Sequence, residues 1–149
     1  MALTLQAVRA RIDLDEVNYP ELAADLGADA LPHLQTLAAG RDPMVASKAA
    51  YLAAMIGGPN AMPVLEVAER RVEPEVRVAV ASALRHVDEQ QAETIADRLL
   101  SDADIGVRKM TVKAVSRLAS PRLKARIQHL RQSDPDPFIR DLAGRVMER

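Results

Sequence analysis

Apolar residues recur at intervals of three and four along most of the chain, a spacing that places them on one face of a helix. The longest stripes are Val45, Ala49, Leu52, Ala53 and Ile56; Val76, Val80, Ala83, Leu84 and Val87; Val107, Thr111, Ala114, Val115 and Leu118; and Ile139, Ala143, Val146 and Met147. Shorter stripes precede them in segments 31–39, 62–70, 92–100 and 123–131. The pattern predicts a series of helix pairs, each made of a first helix, a tight turn and a second helix.

An acidic residue stands before each of the longer stripes and marks the start of a second helix. Asp42, Glu73, Asp104 and Asp136 follow one another at steps of 31, 31 and 32 residues, and Pro comes next in three of the four cases. A carboxylate at this position can accept a hydrogen bond from a free N–H of the first turn, and Pro suits that turn because no partner is needed for its missing N–H. We expect each of these acids to cap its helix.

A second signal marks the junctions between helix pairs. Segments 27–34 and 58–65 both read G-x-(D/N)-A-(L/M)-P-x-L, 31 residues apart. The spacing predicts that the Gly ends one helix in a left-handed conformation, that Asp29 or Asn60 caps the next helix, and that Pro lies in its first turn.

A helix pair cannot bury both of its stripes alone, so neighbouring pairs must stack into a solenoid. We therefore predict one all-α domain over residues 1–149, a right-handed α-solenoid. It has an N-terminal helical cap at 1–28 and four helix pairs at approximately 29–58, 59–89, 90–119 and 120–149.

Composition supports this fold class and indicates a compartment. Only 2% of residues are aromatic and there is no cysteine, so the core must consist of Ala, Leu, Val, Ile and Met, a helical composition. The N-terminus lacks the pattern of a signal peptide, and no run of about 18 apolar residues is present. We expect a cytoplasmic protein without disulfides.

Two short motifs carry a family resemblance. Pro-Glu-Val-Arg at 74–77 and Pro-Phe-Ile-Arg at 137–140, with the Gly-x-Asp-Ala-Leu-Pro run at 27–32, resemble the short bacterial HEAT repeats also found in phycobilin lyase subunits. The resemblance covers about residues 20–149. It implies an armadillo-like solenoid that holds another protein along its second helices; some such proteins are lyase or chaperone subunits, and some bind nucleic acid. It supplies no catalytic residue.

Charge is unevenly distributed along the chain. Residues 1–74 contain 6 basic and 10 acidic side chains, whereas residues 75–149 contain 14 basic and 11 acidic ones. No acidic residue occurs in 105–133, which contains Arg108, Lys109, Lys113, Arg117, Arg122, Lys124, Arg126 and Arg131. Such a cluster favours an acidic partner.

We expect the second helices to line a concave face whose solvent-facing positions turn from neutral to basic along the chain. The candidate partner-binding residues are Tyr51, Met55, Arg77, Arg85, Arg108, Lys109, Lys113, Arg117 and Arg145. Tyr51 and Met55 are predicted apolar anchors at one end, and the Arg and Lys residues are predicted to meet an acidic protein at the other. The predicted function is a protein-interaction scaffold or adaptor.

Other interpretations stay open at this point. Arg77, Arg108 and Arg140 lie four residues after the capping acids, so they can instead pair with Glu73, Asp104 and Asp136 and tie repeats together. The 105–133 region can bind nucleic acid, although it contains no aromatic residue for base stacking. A third alternative is a non-catalytic docking subunit of a modifying enzyme.

An enzymatic interpretation has little support in the sequence. Ser82 and His86 are four residues apart, close enough for a hydroxyl and an imidazole to touch, but a continuous helix face offers no oxyanion site. His33, His86 and His129 are widely separated, which argues against a metal site, and no cofactor motif is present. We predict no catalytic residue, no metal and no cofactor.

Overall fold

A computed structural model describes residues 2–148 as an all-helical chain, and no strand occurs in that range. The α-helices are α1 (Leu5–Ile12), α2 (Tyr19–Leu26), α3 (Leu31–Ala38), α4 (Pro43–Ile56), α5 (Ala61–Glu69), α6 (Pro74–Ala83), α7 (Glu89–Leu99), α8 (Ile105–Val115), α9 (Pro121–Ser133) and α10 (Pro137–Met147). Short 3-10 turns at Gly27–Ala30 and Leu84–His86 precede α3 and follow α6. The predicted fold class is confirmed.

The helices form two parallel rows. The second helices α4, α6, α8 and α10 contact one another in sequence, and the first helices α3, α5, α7 and α9 do the same on the other side. Near the N-terminus, α1 contacts α3, while α2 packs against α4, so residues 5–26 continue both rows. This arrangement is an α-solenoid, in which each helix pair is stabilised mainly by its neighbours.

Three of the four predicted acidic caps are present at the second helices. The Asp42 carboxylate accepts hydrogen bonds from the N–H groups of Met44 (3.0 Å) and Val45 (3.4 Å). Asp104 accepts from Val107 N–H (3.0 Å) and Asp136 from Phe138 N–H (2.8 Å). Glu73 makes no side-chain cap, because its carboxylate accepts two bonds from Arg71 at 3.1 and 2.9 Å.

At the junctions, the glycines have positive φ angles, but the C-cap of α4 is Gly57 and not the predicted Gly58, and the predicted side-chain caps are wrong. Gly27 and Gly58 have positive φ angles of 63° and 81°, which only glycine adopts without strain. Asp29 lies inside a 3-10 turn, and Asn60 makes no side-chain cap. The reason is that the residues preceding α3 and α5 already have helical dihedral angles, whereas a side-chain cap needs an extended residue.

The predicted stripes form the core. The first residue of each stripe, Val45, Val76, Val107 or Ile139, is buried, whereas the last positions, such as Ile56 and Val87, are only partly buried. Small side chains fill α4, where Ala46, Ala49, Ala50, Ala53 and Ala54 have no exposed surface. Because α4 is enclosed by α2, α3, α5 and α6, only small residues allow the backbones to approach so closely.

Arginines connect successive helix pairs. Arg77 on α6 forms two hydrogen bonds to Asp102, at 2.8 and 3.1 Å, and Arg108 on α8 binds Asp134 in the same way at 2.8 and 3.0 Å. Arg140 donates to the carbonyl of Asp134 at 2.6 Å. The expected pairing with the acids four residues earlier is therefore wrong. Arg77 and Arg108 tie successive helix pairs together, as the same interpretation expected, whereas the Arg140 contact stays within the last helix pair.

No helix within residues 2–148 combines the length and the apolar character needed to cross a membrane.

Candidate interaction surface on the second helices

An aromatic contact begins the surface near the N-terminal end of the solenoid. The Tyr51 ring of α4 lies 4.7 Å from the Tyr19 ring of α2, centroid to centroid, at an interplanar angle of 53°. Burial and the neighbouring Tyr51 raise the pKa of the Tyr19 hydroxyl above its ordinary value. Met55 lies one turn beyond Tyr51 and is also half-buried. The predicted apolar anchors are therefore partly accessible side chains on one helix, with Tyr19 as an additional member.

His86 extends this contact to the next helix pair. The Tyr51 hydroxyl lies 2.8 Å from His86 Nε2, and the two rings meet edge to face with centroids 5.2 Å apart. Burial and the charges of Arg85 and Arg117 lower the pKa of His86 below its ordinary value of 6.5, so its imidazole is neutral at pH 7. Tyr51 and His86 form a polar-aromatic bridge between α4 and the turn after α6.

A basic pocket lies beside His86. It has a volume of about 360 Å³ and is lined by Arg85, Met110, Lys113, Ala114 and Arg117. We call Arg85, Lys113 and Arg117 the basic triad. Arg85 donates to the hydroxyl of Ser82 at 2.8 Å, and Arg117 donates to the carbonyl of Arg85.

The basic triad is not neutralised by the chain itself. Within residues 2–148, no carboxylate oxygen of Asp or Glu lies within 4.0 Å of a charged nitrogen of Arg85, Lys113 or Arg117. All three side chains are exposed. Like charges held together without a counter-ion repel one another, so an anion that reaches the pocket is attracted by all three.

Half of the basic residues of 105–133 form ion pairs with carboxylates that lie outside this segment. Arg122 and Arg126 on α9 both pair with Asp97, at 2.7 and 2.5 Å, and Arg131 lies 3.9 Å from Glu148. Arg108 is occupied by Asp134. The continuous basic run of the sequence therefore divides into compensated residues and an uncompensated group at Lys109, Lys113, Arg117 and Lys124.

Two predicted site residues turn away from solvent. The side chain of Arg108 is only 9% exposed and that of Arg77 16%, and both guanidinium groups are taken up by Asp134 and Asp102. Ala46, at the same position of the preceding repeat, 31 residues before Arg77, is fully buried. This position, four residues after the N-cap, therefore faces the seam between helix pairs beside the apolar stripe. The N–H donors of both guanidinium groups are largely taken up within the chain, so neither arginine is positioned to contact a partner.

The other predicted residues stay at the surface. The Lys109 ammonium lies 5.2 Å above the centre of the Phe138 ring, a cation–π geometry, and this ring is 46% exposed. Arg145 pairs with Asp141 one turn earlier at 3.4 Å, and both side chains are well exposed. An exposed pair of this kind contributes little and leaves Arg145 available. The repeat spacing also predicts Arg149 at the position of His86 and Arg117, and Arg149 lies outside the described residues.

The possible Ser82–His86 dyad is not formed. The Ser82 hydroxyl accepts a hydrogen bond from Arg85, while His86 Nε2 faces the hydroxyl of Tyr51. The hydroxyl and imidazole that a nucleophilic pair would require are therefore engaged with different partners.

Sequence reasoning missed an acidic counterpart at the opposite ends of the second helices. A cavity of about 730 Å³ near the start of α4 is lined by Asp15, Asp42, Pro43, Met44, Ser47, Lys48 and Glu75. Lys48 donates to the carbonyl of Leu14 across it. The charge asymmetry along the sequence thus becomes an acidic region near the N-terminal ends of α4 and α6 and a basic one near the C-terminal ends of α6 and α8.

These features define a class: an α-solenoid of stacked helix pairs, tied together by arginine–aspartate contacts and presenting side chains of its second helices at the surface. The family model of HEAT repeats matches residues 61–148, and the chain belongs to the HEAT-repeat family. Proteins of this family generally act as protein-interaction scaffolds and are typically non-catalytic. No curated protein matches the chain.

Proposed function

We propose that this chain is a protein-interaction scaffold that binds an acidic segment of another protein across its second-helix surface. The binding surface runs from Tyr51 and Met55, over His86, to the basic triad. Lys109 and Arg145 extend it toward the C-terminal end. Arg77 and Arg108 act behind this surface by fixing the spacing of the helices.

The observation that carries the proposal is the uncompensated basic triad. Several other cations of the chain are neutralised by carboxylates from a neighbouring helix pair, as Arg122 and Arg126 are by Asp97. Three adjacent cations without such a partner cost self-repulsion in the unbound protein, and an acidic partner removes that cost. Complementary charge also speeds association and selects against basic partners.

The aromatic end supplies affinity of a different kind. Tyr and Arg are enriched among interface residues that dominate binding energy, and a Tyr ring buries a large area while losing little conformational entropy. The Tyr51 ring is already held by Tyr19 and His86, so its orientation is fixed before a partner arrives. Met55 offers an adaptable apolar contact beside it.

A matched pair of charge reversals tests the proposal. The bound protein is first isolated by affinity purification from the native source, and its affinity is then measured by calorimetry with purified components. We expect Lys113→Glu with Arg117→Glu to weaken binding at least tenfold, about 1.4 kcal/mol. Lys124→Glu on α9 is the control, because Lys124 is also exposed and makes no ion pair within residues 2–148.

Equal affinities for the wild type and the double variant would contradict the proposal. Melting temperatures within a few degrees of the wild type show that the variants are folded, since surface changes usually alter stability by about 0.5 kcal/mol. If no protein partner is isolated, and if a gel shift with duplex DNA at low salt is lost in the double variant, nucleic acid is favoured as the partner instead. A modifying enzyme as the isolated partner would make the chain its docking subunit.

A further inference from the structure

We infer that the basic pocket formed by Arg85, Lys113 and Arg117 is a binding site for a phosphomonoester, carried on a side chain of the bound partner. The inference rests on the proposed function for the source of the group, and it adds the chemistry that the pocket recognises. The pocket lies between the ends of α6 and α8, at the basic end of the second-helix surface.

Free hydrogen-bond donors meet in this pocket. Of the Arg117 guanidinium, Nη2 donates to the Arg85 carbonyl, while Nε and Nη1 have no partner within residues 2–148. Arg85 uses Nε and Nη2 on Ser82 and leaves Nη1 free in the same range. The Lys113 ammonium likewise makes no hydrogen bond among the described residues. Phosphate oxygens accept several such bonds at once, and guanidinium groups match their geometry.

The charge of the pocket suits a dianion. The basic triad contributes three positive charges, and the C-terminal ends of α6 and α8 each oppose them with about half an elementary charge. The remainder of about two positive charges matches a phosphomonoester, which carries about −1.5 to −2 at neutral pH. A single carboxylate or a phosphodiester carries only one negative charge, so either would leave part of the positive charge of the pocket unbalanced.

The size of the pocket favours a group carried on a side chain. A volume of about 360 Å³ exceeds the space of an isolated phosphate ion and accommodates the stem that carries it. Met110 and Ala114 provide an apolar wall along which such a stem can lie. The Tyr51–His86 bridge borders the pocket, so a peptide that places its phosphate there also contacts the aromatic end of the surface.

His86 provides a spectroscopic signal at the edge of the site. The groups that face it are Tyr51 from α4, with Tyr19 behind that ring, Arg85 from its own turn, and Arg117 from the chain after α8. A bound dianion offsets the two arginine charges, so the protonated imidazole becomes more favourable and the pKa of His86 rises. By linkage, the dianion then binds more tightly below the pKa of His86 than above it.

The experiment is a nuclear magnetic resonance titration of the full chain with N-acetyl-O-phosphoserine N-methylamide. Its unphosphorylated analogue and sodium chloride at equal ionic strength are the controls, and inorganic phosphate is the free-ion probe. We expect saturable shifts of the His86 ring and of the Nε–H signals of Arg85 and Arg117, with a rise in the pKa of His86 of about half a unit. Lys113→Met with Arg117→Gln should weaken binding at least tenfold, and Lys124→Met should change it less than twofold.

Each outcome bears on the inference. Shifts that do not saturate, or that persist in the double variant, overturn it. If inorganic phosphate binds tenfold more tightly than the phosphoserine derivative, the assignment to a phosphate carried on a side chain is overturned. If a duplex DNA oligonucleotide binds tenfold more tightly, counted per phosphate, the assignment to a phosphomonoester is overturned. Phosphatase treatment of the isolated partner separates the two proposals. An unchanged affinity contradicts the phosphate inference and leaves the proposed scaffold function standing, whereas a tenfold loss of affinity supports both.

Discussion

Arginine serves two different purposes in this chain, and the position of each residue on its helix decides which. Arg77 and Arg108 follow the N-cap within one turn, where the helix faces its neighbour, and each binds an aspartate two residues ahead of the next cap. Arg85 and Arg117 lie at the far ends of the same helices, where no carboxylate of the described chain is within reach. The first group holds the helix pairs in register, and the second is exposed and makes no ion pair within residues 2–148.

Asp102 shows what a seam contact contributes to stability. Burial raises its pKa, but the hydrogen bonds from Arg77 and from the Asp104 N–H outweigh burial, so the pKa lies below its ordinary value of 3.8. A carboxyl group whose pKa is lowered in the folded state stabilises the protein above its unfolded pKa, and this stabilisation disappears as the pH falls through the folded pKa.

We therefore predict that Asp102→Asn lowers the free energy of unfolding by about 2 kcal/mol at pH 7, because a charge-assisted pair is lost. The difference from the wild type should narrow as the pH falls from about 3.8, where the carboxyl of the unfolded chain takes up its proton, through the lower pKa of the folded carboxyl. Urea unfolding followed by circular dichroism, at a series of pH values from 7 to 2.5, measures the free energy of unfolding of both proteins. A gap that stays constant over this range would show that the Arg77 contact does not depend on the charge of Asp102.

At the scale of the element, the start of each helix depends on the backbone before it. Asp42, Asp104 and Asp136 each occupy an extended residue, from which the side chain folds back onto the first turn. Asn60 has helical angles of φ −79° and ψ −5° and cannot do so. Residue type alone therefore does not identify a cap.

We predict that Asp136→Ala destabilises the protein by about 1 kcal/mol, since the N–H groups of Phe138 and Ile139 lose their acceptor. Asn60→Ala is the matched comparison and should cost less than about 0.5 kcal/mol, because no cap bond is removed and the residue is exposed. Both values come from chemical denaturation at pH 7. An equal loss in the two variants would mean that the Asp136 cap contributes nothing beyond removal of a polar side chain.

On the scale of the whole molecule, stability is shared between neighbours in the stack. α4 lies between α2 and α6, and α6 lies between α4 and α8, and each also contacts first helices. Within the described residues, α1 packs mainly against α3 and α4. In a solenoid the stability is a sum of terms within each pair and terms between adjacent pairs. Interior helices consequently open only when several contacts are broken together.

Hydrogen exchange should reveal this gradient. We expect the amides of α4 and α6 to exchange most slowly and those of α1 most rapidly, because local opening at the end of a stack costs less free energy. Mass spectrometry of peptides covering each helix measures the rates. Faster exchange in α4 than in α1 would contradict the nearest-neighbour description of this stack.

The sequence by itself determined the local features of this protein. Periodic apolar positions specified which face of each helix is buried, acids at Asp42, Asp104 and Asp136 specified where second helices begin, and their regular spacing specified the stack. These properties are encoded within a few consecutive residues, since helical hydrogen bonds and caps join neighbours along the chain. The HEAT family followed from the same repetition.

Only the tertiary structure decided which charges remain available. Arg77 and Arg108 find their carboxylates 25 and 26 residues further along, and His86 meets Tyr51 across 35 residues. Because the partners come from different helix pairs, a rule based on spacing within one helix assigned both arginines wrongly. The fold brings Arg85 beside Lys113 and Arg117 and sends Asp97 to the other row, and this separation of charge creates the site proposed for the acidic partner.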